Sequence, residues 1–321
     1  MAAGSKRKGR TGPICPVIAG PTAVGKTGLV TTLAAEFPIE VISLDSRQVY
    51  RGMHIGTAQP TPAEMDACRH HLVDFLSPDA SYSAQQFRRD FTACWLEITG
   101  RGRLPVLVGG AGMYLKAVEE GFMPLPDGSE ERLPAVRREI EALSDEDLTH
   151  ELSAIDPTTA ARLHSNDRYR RSRALEICRL AGRPFSELAA EQKPSPACGL
   201  DFPLVVLERA VEELDARISA RTRVMLDEGW IRETRNLMQK HDHGGPGLRS
   251  IGYAEIVRHL SGGLPEHKLA TTIVTVTRQY AKRQRTWFRP RNKLLAGSPD
   301  DNMVLRTLRD KVRQGLKALG D

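Results

Sequence analysis

The sequence predicts an α/β protein: a P-loop NTPase-like parallel sheet flanked by helices, with a helical insertion domain. Three observations predict it. Short apolar runs at Val17–Ala19, 41–44, 106–108 and Leu204–Leu207 alternate with helical stretches such as Ala84–Thr99, which is how parallel strands and their crossover helices read. Residues 20–27 read G-P-T-A-V-G-K-T and fit the phosphate-loop pattern G-x-x-x-x-G-K-[ST]. The strand signal stops near Pro124 and resumes at Leu204, so a helical segment interrupts the sheet.

The phosphate loop comes first in the chain. A buried strand, Val17–Ala19, precedes it, and a helix over 28–37 follows, with Leu29, Leu33 and Phe37 at helical spacing. Between them lie Gly20, Pro21, Thr22, Ala23, Val24, Gly25, Lys26 and Thr27. Open N–H groups and the positive end of the helix converge there on one phosphate group. Lys26 adds a point charge, and the Thr27 hydroxyl suits Mg²⁺.

The second and third strands end in polar residues, Asp45-Ser46 and Gly109-Gly110. Ligands of open α/β sheets collect at these carboxyl ends, so loop, Asp45 and glycines surround one crevice. Helices are predicted next over 130–143, Asp145–Ile155 and 169–180, closed by Pro194 and Pro196. The expected organisation is therefore a disordered basic lead-in at 1–12, an α/β core over 13–123 and 200–321, and the insertion over 124–199.

Composition narrows the function classes. No apolar run reaches 18 residues, so no membrane span is expected, and the N-terminus lacks the apolar stretch of a secretory signal. The five cysteines form no C-x-x-C pair, which fits a reduced, cytoplasmic setting. Cys68, His70 and His71 lack a second ligand pair at zinc spacing. The net charge is +6, and it is segregated. Seven basic residues and no acidic one lie between Arg278 and Lys293; Arg168, Arg170, Arg171 and Arg173 form a second cluster. Such clustering points to a polyanionic partner.

Asp45 admits several readings. It can hold Mg²⁺ through water, as in nucleotide-binding ATPases and kinases. Beside Ser46 and Gln48 it also suits adenine, a carboxylate accepting an N6–H while an amide reads a ring edge. It can also simply cap a helix or turn.

At this point the chain resembles the tRNA dimethylallyltransferase (tRNA isopentenyltransferase) family. The matching motifs are the phosphate loop, D-S-R-Q-V-Y-R-G-M (45–53), G-T-A-Q-P (56–60), H-H-L-V-D (70–74) and G-G-A-G-M-Y-L (109–115). N-D-R-Y-R-R-S-R-A-L-E (166–176), I-G-Y (251–253) and T-R-Q-Y-A-K-R-Q-R-T-W-F-R (277–289) continue them in the family's order. The resemblance implies transfer of a dimethylallyl group from its diphosphate to N6 of the adenosine 3′ of a tRNA anticodon, with diphosphate released and Mg²⁺ required. It implies catalytic roles for Asp45, Thr22 and Arg221, with the loop 20–27 holding diphosphate. It implies tRNA contacts from Asp45, Ser46, Arg47, Gln48 and Ala111, and from Asp167, Arg168, Tyr169, Arg170 and Arg171 on the insertion. Further implied contacts are Arg249, Ser250, Ile251, Gly252 and Tyr253, then Lys282, Arg283, Gln284, Arg285, Thr286, Trp287, Phe288 and Arg289. A monomer is expected.

Three residues depart from the family pattern: Ala111 for Thr, Gln59 for Lys and Trp230 for Leu. No Cys/His zinc finger follows Arg289, as in compact bacterial-type members. Two other activities share parts of this pattern. An adenylate isopentenyltransferase would use the same cradle on free AMP-type nucleotides, without need of the insertion or the basic clusters. A P-loop kinase of small metabolites would need no RNA surface.

Overall fold

The structure, a computed structural model, describes residues 12–123, 126 and 128–320. The expected lead-in lies outside the described residues except for Gly12.

The chain opens with β1 (Val17–Ala19), α1 (Lys26–Glu36), β2 (Ile39–Leu44), α2 (Pro62–Ala67), β3 (His70–His71), α3 (Ala84–Thr99), β4 (Leu104–Gly109) and α4 (Gly112–Glu120). A helical stretch follows: α5 (Ser129–Glu141), α6 (Asp145–Ile155), α7 (Pro157–Arg162), α8 (Arg168–Ala181) and α9 (Phe185–Glu191). The sheet resumes with β5 (Leu204–Leu207), then α10 (Val211–Asp227), α11 (Trp230–Met238), α12 (Tyr253–Leu260), α13 (Glu266–Phe288), β6 (Leu295–Gly297) and α14 (Asn302–Gly320).

Six parallel strands run in the order β3-β2-β4-β1-β5-β6. β1 is central, with Ile18 paired to Val108 on one side and Val205 on the other. Strands β1 and β5 are buried along their whole length, which is why they read as continuous apolar runs without alternation; β2 is buried throughout as well but carries the polar Glu40 and Ser43. The two edge strands, β3 and β6, escape a reading of apolar runs, being only two and three residues long.

Local signals place the helices. Thr61 and Glu64 form a capping box on α2, and Ser83 and Gln86 form one on α3. Asp167 caps α8, and Gly182 closes it in the left-handed conformation.

The chain divides into two compact units, Met1–Glu120 with Ser195–Asp321, and Gly121–Pro194. The helical unit is thus shorter at its C-terminal side than the expected 124–199. Ala197 and Leu200 are buried in the core around the sheet, and the Ser195 N–H donates to Glu120 O at 2.9 Å. The helical unit has its own core, built from residues such as Val136, Leu148, Leu152 and Leu175. Within the larger unit a second core joins Val49, Tyr50 and Met53 to Trp230, Tyr253, Ile256 and Ile273. This second core fixes the turn that carries Asp45 against α11, α12 and α13. Among the described residues no helix is long and apolar enough to cross a membrane.

Candidate active site

The phosphate loop is held by its carbonyls. Lys26 Nζ donates to Gly20 O at 3.1 Å and to Pro21 O at 2.9 Å. Arg217 Nε reaches Ala23 O at 2.9 Å, and Arg209 Nε reaches Val24 O at 2.9 Å. Arg221 donates to the Thr22 hydroxyl. With its carbonyls drawn outward by cations, the loop leaves the N–H groups of Gly25, Lys26 and Thr27 without a partner among the described residues. Gly25 caps α1 with φ 108°, a conformation glycine adopts without strain. These features make an anion cradle at a helix N-terminus. Burial is the largest influence on Lys26 and pushes its ammonium down to about 8, against the upward pull of Asp45; Arg221 lowers it further. Burial also lowers Arg221, with Asp45 opposing.

Asp45 follows β2. Its Oδ1 accepts the N–H groups of Arg47 at 2.8 Å and Gln48 at 3.3 Å, while Oδ2 accepts none among the described residues. One carboxylate oxygen is therefore fixed by the turn, and the other remains for chemistry. Its charge also acts on Tyr114 and Tyr280, whose phenols are pushed up by burial first and by Asp45 second in Tyr280. The end of β4 is tied to the same place: the N–H groups of Gly110 and Ala111 both donate to Leu44 O at 3.0 Å.

Several residues expected at the substrate instead brace the protein. Gln48 spends its side chain internally, sharing a hydrogen bond with Ser43 Oγ at 2.8 Å and donating to Ala58 O at 2.7 Å. Gln59 is buried and donates to Gln48 O and Tyr50 O, so this departure from the family pattern is an internal strut. Ser250 and Tyr253 are buried beneath the surface. The Tyr253 hydroxyl donates to Glu233 at 2.6 Å, and the same carboxylate accepts the N–H groups of His54 and Ile55 at 3.0 Å. Trp230 is buried between two glycines: a Cβ on Gly56 would lie 2.1 Å from its Nε1, and one on Gly252 2.0 Å from its ring. Arg47 and Arg249 are exposed, and Arg47 donates to Pro246 O at 3.2 Å. Ser46 and Ile251 are half-buried.

The basic stretch of α13 is likewise two-sided. Lys282, Arg283, Arg285, Thr286 and Arg289 are exposed, whereas Gln284 and Phe288 are buried and Trp287 packs against the main core. Gln284 and Phe288 therefore do not belong to an outer RNA face. Lys282, Arg285 and Arg289 have no ion-pair partner among the described residues, while Arg278 pairs with Asp215 at 3.3 Å. With Pro21, Leu207 and Arg209 they help to line a cavity of about 640 Å³ beside the end of β5.

In the helical unit, Tyr169 is 81% exposed and Arg170 is exposed. Arg168 and Arg171 turn inward instead. Arg168 donates to Leu143 O and pairs with Asp145, both at 2.6 Å. Arg171 is buried against Asp145 O and the Thr149 hydroxyl. Asp167 is the helix cap.

Sequence reasoning missed Arg209, Arg217 and Tyr280. Arg217 was within reach, because it lies one helical turn before Arg221 and so shares its face. The cradle also fits Mg²⁺. Among the described residues no three His, Cys, Asp or Glu gather into a metal site. An exposed Thr27 hydroxyl next to an anion cradle is nevertheless a group that could hold a Mg²⁺ ion whose other ligands came from a bound phosphate and water.

Comparison with known proteins agrees with this geometry. The IPP transferase family model matches residues 48–291, and an isopentenyl transferase model matches residues 14–79. A tRNA dimethylallyltransferase of Chromobacterium violaceum is 41% identical over 299 residues, covering 91% of each chain. The Bordetella pertussis enzyme of that name is 44% identical over 282 residues, covering 85% of this chain and 88% of its own. The solved tRNA isopentenylpyrophosphate transferase of Bacillus halodurans superposes with a TM-score of 0.68 at 33% identity, covering 96% of this chain and 98% of its own. A eukaryotic dimethylallyltransferase acting on tRNA superposes with a TM-score of 0.78 at 28% identity, covering 90% and 74%. A phosphate loop gripped through its carbonyls, facing an aspartate at the next strand end, in a chain matched over most of its length, leaves one assignment: this chain belongs to the IPP transferase family.

Proposed function

We propose that the protein transfers a dimethylallyl group from dimethylallyl diphosphate to N6 of the adenosine 3′-adjacent to a tRNA anticodon. The observation that carries this reading is the cradle itself: its open amides, Lys26 and Arg221 sit within the electrostatic reach of Asp45. A kinase cradle feeds a phosphoryl acceptor; this one faces a carboxylate whose Oδ2 can take a proton. The bond formed is N6–C1, the bond broken is C1–O, and diphosphate departs with the electron pair. The N6 proton passes to Asp45. Charge grows on the leaving oxygen as the C–O bond lengthens, and preorganised N–H groups and cations stabilise it there. Thr27 would hold Mg²⁺ on the diphosphate, and the ion when bound adds positive charge to the leaving group.

The adenosine must leave its stack to reach Asp45, which costs a few kcal/mol. Lys282, Arg285 and Arg289 on α13, and Tyr169 and Arg170 on the helical unit, are the exposed groups that suit RNA contacts offsetting this cost. Incubation with labelled dimethylallyl diphosphate and Mg²⁺, with total tRNA or with AMP as acceptor, tests the reading. Label is expected in tRNA. Label in AMP alone, or ATP hydrolysis as the sole activity, would refute it.

A further inference from the structure

The Gln284 side chain is 5% exposed, on a helix whose neighbouring cations face water. Its Oε1 accepts the Thr22 N–H at 2.9 Å, and its Nε2 donates to Gly110 O at 3.2 Å. A Cβ on Gly110 would lie 2.1 Å from that Nε2, so only glycine admits the amide. Gly110 in turn donates to Leu44 O, one residue before Asp45. One side chain thus joins the phosphate loop to the strand ends that carry Asp45.

We propose that Gln284 is a positioning residue for the leaving group rather than a contact to RNA. It removes the Thr22 N–H from the anion-binding set and fixes the peptide so that the Thr22 hydroxyl meets Arg221. Arg221 is then held where leaving-group charge develops. The inference rests on the reading that the cradle holds the donor's diphosphate. Loss of the amide frees the loop to shift, and a misplacement near 1 Å costs about 10²-fold in rate.

The test compares Gln284→Leu, Gln284→Glu and Gly110→Ala with wild type. Leucine keeps the volume and loses both hydrogen bonds. Glutamate keeps the acceptor for Thr22 but, ionised, cannot donate to Gly110 O. Gly110→Ala displaces the amide without altering Gln284. The readouts are kcat, donor KM, tRNA Kd and binding of inorganic diphosphate. Each folded variant is expected to lose about 10- to 100-fold in kcat, as supporting residues of reactive sites do, with tRNA Kd within about twofold of wild type. Weaker diphosphate binding should accompany it and is measurable without turnover. Wild-type kcat in any folded variant, or a loss lying wholly in tRNA Kd, overturns the assignment. A wild-type enzyme that prenylates no tRNA would instead overturn the proposed function, so the two failures are distinct.

Discussion

Raising the pH through the titration of Lys26 should weaken donor binding by a calculable amount. The half-buried ammonium titrates at about 8 instead of 10.5, because desolvation outweighs the attraction of Asp45. At 1.36 kcal/mol per pH unit this difference is about 3 kcal/mol of unrelieved charge. A bound diphosphate supplies the missing counter-charge and restores the proton. Affinity is therefore flat below pH 8 and falls tenfold per pH unit above it, to a limit of about 300-fold near pH 10.5. Calorimetry of dimethylallyl diphosphate binding without RNA, in two buffers of different ionisation enthalpy, should show proton uptake that rises above pH 8. Lys26→Arg stays charged throughout and should lose the break. Stability carries the opposite sign. The folded pKa lies below the unfolded one, so between pH 8 and 10.5 the unfolded chain binds more protons and stability rises with pH. Below pH 8 the penalty of about 3 kcal/mol is fully present. Lys26→Met removes it and loses two hydrogen bonds of about 1 kcal/mol each, a net gain of about 1 kcal/mol at neutral pH. A pH-independent wild-type Kd, or a break that persists in Lys26→Arg, would refute this account of the cradle.

Asp45→Asn should lower kcat by about 10²–10⁴-fold with tRNA Kd unchanged, and a loss confined to tRNA Kd would make Asp45 a binding residue. Arg221→Ala should act on kcat or donor KM and leave tRNA binding intact; normal kinetics at low and at saturating donor would remove it from the site. Lys282→Ala with Arg285→Ala should flatten the slope of log affinity against log salt by about 0.7–0.9 for each lost phosphate contact. An unaltered slope would show that this face of α13 is merely solvated. Gly56→Ala should cost about 1–3 kcal/mol through its clash with Trp230, read as a lower Tm, and Trp230→Leu should recover part of it. A Gly56→Ala protein with wild-type Tm would refute that packing argument.

The parts of the site carried by local chemistry were legible in the sequence. The octet, the strand before it and Asp45 after the next strand each announce themselves through residue type and order. What remained hidden depends on which side of an element a residue takes. Gln284 sits in a run of cations, yet Ala281, Gln284 and Phe288 follow one another at helical spacing and are all buried. That stripe was present in the sequence, and the surrounding charge masked it. The I-G-Y motif is similar: Tyr253 looks like a substrate contact but holds Glu233, which holds the backbone of 54–55. The departures at 59 and 230 are accounted for in the same way, as internal packing around the Asp45 turn. Arg209 and Arg217 carry no motif at all, because they grip main-chain carbonyls that any sequence supplies.

Those carbonyl contacts also separate the two electrostatic tasks of the molecule. Lys26 and Arg221 stand half-buried beside the loop while Arg217 grips it from an exposed position, and desolvation leaves Lys26 and Arg221 short of counter-charge until an anion arrives. Being half-buried, Lys26 and Arg221 should be screened by salt less than fully exposed charges in their interaction with a diphosphate. Lys282, Arg285 and Arg289 are exposed on α13, where a polyanion displaces counterions and every contact is felt in the salt dependence. Gln284 lies on the opposite side of the same helix, one residue from Arg285 and Arg283. The helix that offers cations to solvent therefore also sets the phosphate loop. A substitution on its outer face should change association with RNA, and one on its inner face should change turnover. The two faces are separated by a single residue's step of about 100° around the helix rather than by distance along the chain.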